Sequence, residues 1–123
     1  MIRVLVVDDE PMARAKLCRL LRELADVQLV GEAGDADEAI AVISSTKPDL
    51  VVCDLHMPRR DGLAFTNAAH RIRPTTPVVL MTSFACADAR ADAAAVGASG
   101  LLSKPFSIRE LREAIDAALA PRR

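Results

Sequence analysis

Two hydrophobic rhythms alternate along this chain. Short unbroken apolar runs are followed by longer stretches in which apolar residues return every three or four positions. The first pattern marks strands buried on both faces, and the second marks amphipathic helices. Arg3–Val7 is the first run, and Asp8-Asp9-Glu10 ends it. Pro11 suits the first turn of a helix, whose apolar face is Ala13, Leu17, Leu20, Leu21 and Leu24. Gln28–Ala33 reads as a second strand and Gly34-Asp35 as a turn. Asp35 with Glu38 has the spacing of a capping box for a helix using Ala36, Ala39, Ile40 and Ile43.

Lys47-Pro48-Asp49 breaks that helix, and Leu50–Asp54 is the third strand. Asp61-Gly62 opens a third helix with Phe65, Ala68, Ala69 and Ile72 inward. After a break from Arg73-Pro74 to Pro77 comes a fourth strand, Val78–Thr82. Cys86–Val96 is helical but carries almost only Ala on its apolar side. Alanine favours helix yet buries little area, so this helix is expected to be loosely anchored. Gly97 fits a helix C-terminus. Gly100–Ser103 is a short fifth strand, and Ser107 with Glu110 forms a capping box for the last helix. There Ile108, Leu111, Ile115, Ala118 and Leu119 make the clearest stripe in the chain. Five strand–helix units in strict alternation predict an α/β fold, a parallel sheet with helices on both faces.

Composition narrows the function. A length of 123 residues fits one domain spanning 1–123. A formal charge of −1 argues against nucleic acid or an anionic membrane as the main partner. No apolar run approaches the roughly 20 residues of a membrane span, and the N-terminus lacks signal-peptide anatomy. Cys18, Cys53 and Cys86 have neither disulfide-framework nor zinc spacing. The chain therefore reads as cytoplasmic, with reduced thiols. Three Phe, no Trp and no Tyr leave little surface for stacking flavins or single-stranded nucleic acid.

The candidate chemistry lies where strands end. Alone, Asp8-Asp9 reads as a helix cap, Asp54 as a turn residue, Thr82 as an edge hydroxyl and Lys104 as a loop lysine. Together they follow the first, third, fourth and fifth strands. In a parallel sheet those ends share one edge, where α/β folds bind ligands. Three clustered carboxylates need a cation. Lys104 supplies one, and an all-oxygen donor set favours Mg²⁺ as another. A carboxylate in such a setting can attack phosphorus and become an acyl phosphate, with Thr82 drawn toward the new charge.

With these residues in view, the chain resembles the receiver domain of bacterial two-component response regulators, as in the chemotaxis response regulator. The resemblance rests on Val4-Leu5-Val6-Val7-Asp8-Asp9-Glu10-Pro11, on Asp54-Leu55-His56-Met57-Pro58 with Asp61-Gly62, on Met81-Thr82-Ser83, and on Gly97-Ala98-Ser99-Gly100 leading to Lys104-Pro105-Phe106. It implies a flavodoxin-like doubly wound sheet of order 2-1-3-4-5. It also implies Asp54 as phosphoacceptor and metal ligand, Asp9 as direct Mg²⁺ ligand, Asp8 acting through water, and the His56 backbone carbonyl as a further ligand. Thr82 and Lys104 would complete the site, with Ser83, Phe84, Leu101 and Pro105 in the switch region and a cis bond before Pro105. The donor would be a phosphohistidine on a sensor histidine kinase or a histidine phosphotransfer protein. The domain would be a switch rather than a turnover enzyme, monomeric or dimerising on phosphorylation.

One departure concerns the switch. Leu101 stands where the family usually has an aromatic residue, so Phe84 or the Ala-rich fourth helix is expected to take that part. Phe84 is also placed to shield an acyl phosphate from water. Three other readings fit less well. A dehalogenase-like phosphohydrolase needs an acid where His56 stands. A flavin-binding protein needs a Ser/Thr/Gly-rich loop where Asp8-Asp9-Glu10 stands. A phosphorylation-independent interaction module usually loses acids or lysine that are present here. The output is open between a downstream protein target and an output domain, such as the DNA-binding half of a transcription regulator. Ala120-Pro121-Arg122-Arg123 reads as a terminus or as the start of a linker.

Overall fold

The computed structural model describes residues 1–120. The linker-or-terminus reading of Pro121-Arg122-Arg123 lies outside the described residues. The elements run β1 (Ile2–Val7), α1 (Pro11–Arg22), β2 (Val27–Ala33), α2 (Ala36–Thr46), β3 (Leu50–Asp54), α3 (Gly62–Ile72), β4 (Val78–Thr82), α4 (Ala87–Ala95), β5 (Gly100–Ser103) and α5 (Ile108–Leu119). All neighbouring strands are parallel, in the order β2-β1-β3-β4-β5. That is the expected doubly wound order.

Period-two alternation assigns the helices to faces. Leu5, Val7, Val51, Cys53, Val78 and Leu80 point into one buried cluster, with Ala39 and Ile43 of α2 and Phe65 and Ala69 of α3. Val4, Val6, Leu50, Val52, Val79 and Met81 point into the other, with Leu17 and Leu21 of α1 and Leu111 and Ile115 of α5. Two interior strands, β3 and β4, are buried throughout, which is why they read as unbroken apolar runs. No helix among the described residues is long and apolar enough to cross a membrane.

Helix ends follow the residue chemistry, with small departures. Ser107 and Glu110 form the full capping box of α5. Asp35 caps α2 by accepting from the Glu38 N–H at 2.7 Å, but the Glu38 carboxylate reaches past it to the Gly34 N–H at 3.2 Å. Gly97, at φ +80°, closes α4: its N–H bonds to the Ala94 carbonyl, and the Ala98 N–H to that of Ala93. This is a Schellman ending with Gly at the left-handed position. As expected, α4 is thinly anchored, with Ala93 its one buried residue. Ile72, expected inward, is instead 44% exposed. It is the last residue of α3, and the cap at Arg73 leaves helical geometry (φ −136°), so no further turn folds over it. Leu24 lies beyond the end of α1 but still packs on the core. Leu119, at the end of α5, is partly exposed.

Candidate functional site

The parallel registers bring the strand ends to one edge. Val7 pairs with Cys53, Asp54 with Met81, and Thr82 with Ser103. The residues that follow β1 and β5 and those that end β3 and β4 therefore meet at one edge of the sheet.

Asp8 is 1% exposed and firmly held. Its N–H donates to the Ala33 carbonyl at 3.1 Å. Its Oδ1 accepts from the Glu10 N–H at 3.0 Å, and its Oδ2 from Lys104 Nζ at 3.2 Å. Glu10, not either aspartate, caps α1 by accepting from the Ala13 N–H. Asp54 is buried at the end of β3, with its Oδ1 3.4 Å from the same Lys104 Nζ. Asp9 is partly exposed. One carboxylate oxygen each from Asp8, Asp9 and Asp54 lie within 4.8 Å of one another. All three predicted acids and the predicted lysine are thus brought together.

Electrostatics follow from that crowding. Burial pushes the Asp54 carboxyl above the usual carboxylate range; Lys104 pulls against this, Asp8 adds to it, and the His56 backbone N–H pulls it down. Lys104 is raised despite the opposing effect of burial, because Asp54 and Asp8 both favour its charge. Two of the three carboxylates, Asp8 and Asp54, share one ammonium, and every donor that the three acids offer is oxygen. That donor set fits a hard divalent cation such as Mg²⁺ better than a thiolate- or imidazole-seeking metal. Cys53, beside Asp54, is fully buried, and burial followed by the Asp54 charge pushes its thiol well up. It is a packing residue, as expected.

Thr82 ends β4 with its side chain fully buried. Its Oγ1 accepts from the Phe84 N–H at 3.1 Å, and its carbonyl accepts from the Lys104 N–H at 2.8 Å. The Lys104–Pro105 bond is cis, and Pro105 is exposed. His56, Ser83 and Phe84 are exposed, Phe84 by 76%. Leu101 is partly buried against the cluster that α2, α3 and α4 cover. A cavity of about 430 Å³ opens between α1 and the loop after β5, lined by Leu17, Leu20, Met81 and Phe106 and reaching Asp8 and Lys104.

Two further residues build the site. Gly62 starts α3 against the loop that follows Asp54: a Cβ there would lie 2.6 Å from the Asp54 carbonyl oxygen and 2.9 Å from the Leu55 Cα. The sequence showed Gly62 as the opening of the third helix and as part of the motif after Asp54, not as a point of close backbone approach. Arg14 donates from Nη1 to the Asp8 carbonyl at 2.6 Å. No periodicity marks it, because its target is a backbone atom.

Comparison with known proteins agrees with this geometry. The response regulator receiver domain family matches residues 4–116. Transcriptional regulatory protein PdtaR of Mycobacterium tuberculosis (strain ATCC 25618 / H37Rv) is 43% identical over 120 residues, 96% of this chain and 57% of that protein. The chain thus spans about half the length of this curated relative. Among solved structures, a LuxR-family two-component response regulator from Aurantimonas sp. SI85-9A1 superposes with a TM-score of 0.92 at 34% identity, covering 98% of this chain and 86% of that one. Chemotaxis protein CheY4 of Vibrio cholerae gives 0.87 at 29% identity, covering 97% and 99%. The chain belongs to the response regulator receiver domain family of two-component signalling.

Proposed function

We propose that Asp54 is the phosphoacceptor of this receiver, read as one domain over residues 1–123, and that its phosphorylation switches partner binding. The observation that carries this is Lys104 Nζ placed between two buried carboxylates, 3.2 Å from Asp8 and 3.4 Å from Asp54. An ammonium so placed can follow an Asp54 oxygen as it attacks phosphorus and pair with the phosphoryl oxygens that replace the carboxylate charge. A bond forms from Asp54 Oδ to phosphorus, and the bond from phosphorus to the donor imidazole nitrogen breaks. The imidazole leaves carrying its proton. The donor is a phosphohistidine on a sensor histidine kinase or histidine phosphotransfer protein.

Asp9, Asp54 and the His56 carbonyl would hold Mg²⁺ directly, and Asp8 through water. Bound there, the ion neutralises charge on the transferring phosphoryl oxygens. Asp8 keeps Lys104 aimed at the site. Thr82 offers a hydroxyl whose Oγ1 now only accepts from Phe84, so its proton is free to meet a phosphoryl oxygen. That bond would draw the β4–α4 loop toward Asp54, with α4 moving in place of the usual aromatic at Leu101. The exposed Phe84 ring would slow water reaching the acyl phosphate. The output is a downstream protein target or an output domain carried on the same polypeptide.

Beryllofluoride titration followed by amide NMR tests the reading. With Mg²⁺ present, shifts are expected at Asp54, Thr82–Phe84 and α4. No shifts at any of these with Mg²⁺ demonstrably bound would remove the phosphoacceptor assignment.

A further inference from the structure

We propose that Arg14 is a positioning residue for the acidic cluster, locking the loop that carries Asp8 and Asp9 in the geometry that takes Mg²⁺. The inference rests on the reading of the site given above. Arg14 is the fourth residue of α1, and its side chain is 24% exposed. Nη1 donates to the Asp8 carbonyl at 2.6 Å, while Nε lies 3.4 Å from Oε1 of Glu32 in β2. One planar guanidinium therefore joins three pieces of chain: the β1–α1 loop, α1 and β2. The fold leaves room for it. A Cβ on Gly34 would come within 3.3 Å of Nη1.

The consequence for Asp8 is complete engagement. Its N–H, its carbonyl and both carboxylate oxygens each have a partner. Of these, only the carbonyl bond comes from a side chain outside the acidic cluster and its lysine. Removing Arg14 leaves a carbonyl with no hydrogen-bond partner among the described residues, at the pivot of the loop. Groups that orient metal-binding residues from behind typically matter 10–100-fold in metal affinity. The ion pairs on the opposite loop differ. Arg59–Asp35 and Arg60–Asp37 lie at 3.5 Å between solvent-exposed side chains, where such pairs contribute little.

Charge and geometry predict opposite signs, which makes the idea testable. A cation bonded to the Asp8 carbonyl, next to the acidic cluster, repels a divalent ion bound there, so deleting its charge alone would tighten Mg²⁺ binding. Losing the positioning bond would weaken it. Arg14→Lys keeps the charge but lacks the fork that serves Asp8 and Glu32 at once. Arg14→Met removes both. Glu32→Gln keeps the carbonyl bond and loosens its anchor.

Mg²⁺ alone would be titrated into each variant by calorimetry and amide NMR at 25 °C, with circular dichroism confirming that each is folded. Both Arg14 variants should raise Kd about tenfold, and Glu32→Gln about two- to threefold. A contribution to global stability alone would not move Kd in a protein that remains folded. If Arg14→Met does not fold, Arg14→Lys and Glu32→Gln carry the test. Variants that bind Mg²⁺ as tightly as wild type, or more tightly, would overturn the role of Arg14 while leaving the site intact. A wild type that binds no Mg²⁺ would overturn the reading of the site and this inference with it.

Discussion

At the scale of single residues, the acidic cluster costs stability. Burial, and then the Asp8 charge, raise the Asp54 carboxyl against the pull of Lys104. An acid whose folded value is raised favours the fold while protonated. That contribution is full below the ordinary value near 3.8 and is lost as pH rises through the higher folded value. Ionised Asp54 therefore destabilises the metal-free protein at neutral pH. Asp54→Asn should melt about 3 °C above wild type at pH 7 in chelator, with the gap closing as pH falls toward 4. Thermal melts across pH measure this, and equal melting temperatures at pH 7 would refute it. Gly62 gives a second test. A Cβ there would meet backbone, not a flexible side chain, so Gly62→Ala should lose about 2–3 kcal/mol in urea unfolding. Asp8, Asp9, Asp54, Thr82 and Lys104 were legible because each interrupts or follows an apolar run. Arg14 was not, because a long side chain bonding a backbone carbonyl leaves no mark in spacing.

At the scale of elements, capping and burial divide the helices. Among α1, α3 and α5, apolar residues at helical spacing bury the inner face. By contrast α4 buries only Ala93 and depends on its ends, Cys86 and Gly97. Gly97→Ala should cost about 1 kcal/mol, since a side chain at φ +80° is strained. Amide exchange in α4 should also be faster than in α5, and equal protection of the two would contradict this account of α4. Helix and strand bodies were readable from periodicity, and so was the weak anchoring of α4. Their ends were less so. Ile72 fits the spacing of an inward residue, but the helix stops there and leaves it 44% exposed. The Glu38 carboxylate takes the Gly34 N–H because the turn presents that donor. Both outcomes depend on local backbone direction, which spacing does not encode.

At the scale of the whole molecule, the sheet does the assembling. Residues 8, 54, 82 and 104 are far apart in sequence, and parallel registers place them at one edge. Alternation of strand and helix predicts a parallel sheet, but the order 2-1-3-4-5 came from family resemblance. Neighbour choice among buried strands of similar composition depends on long-range packing, which one sequence does not display. We propose that this edge makes Asp54 a phosphoacceptor. Intact mass after incubation with Mg²⁺ and a small acyl-phosphate donor, run beside Asp54→Asn, tests it most directly. One added phosphoryl group that requires Mg²⁺ and is absent from the variant is the expected result. An equal gain in wild type and Asp54→Asn, or no gain in wild type even from a phosphorylated kinase, would contradict it.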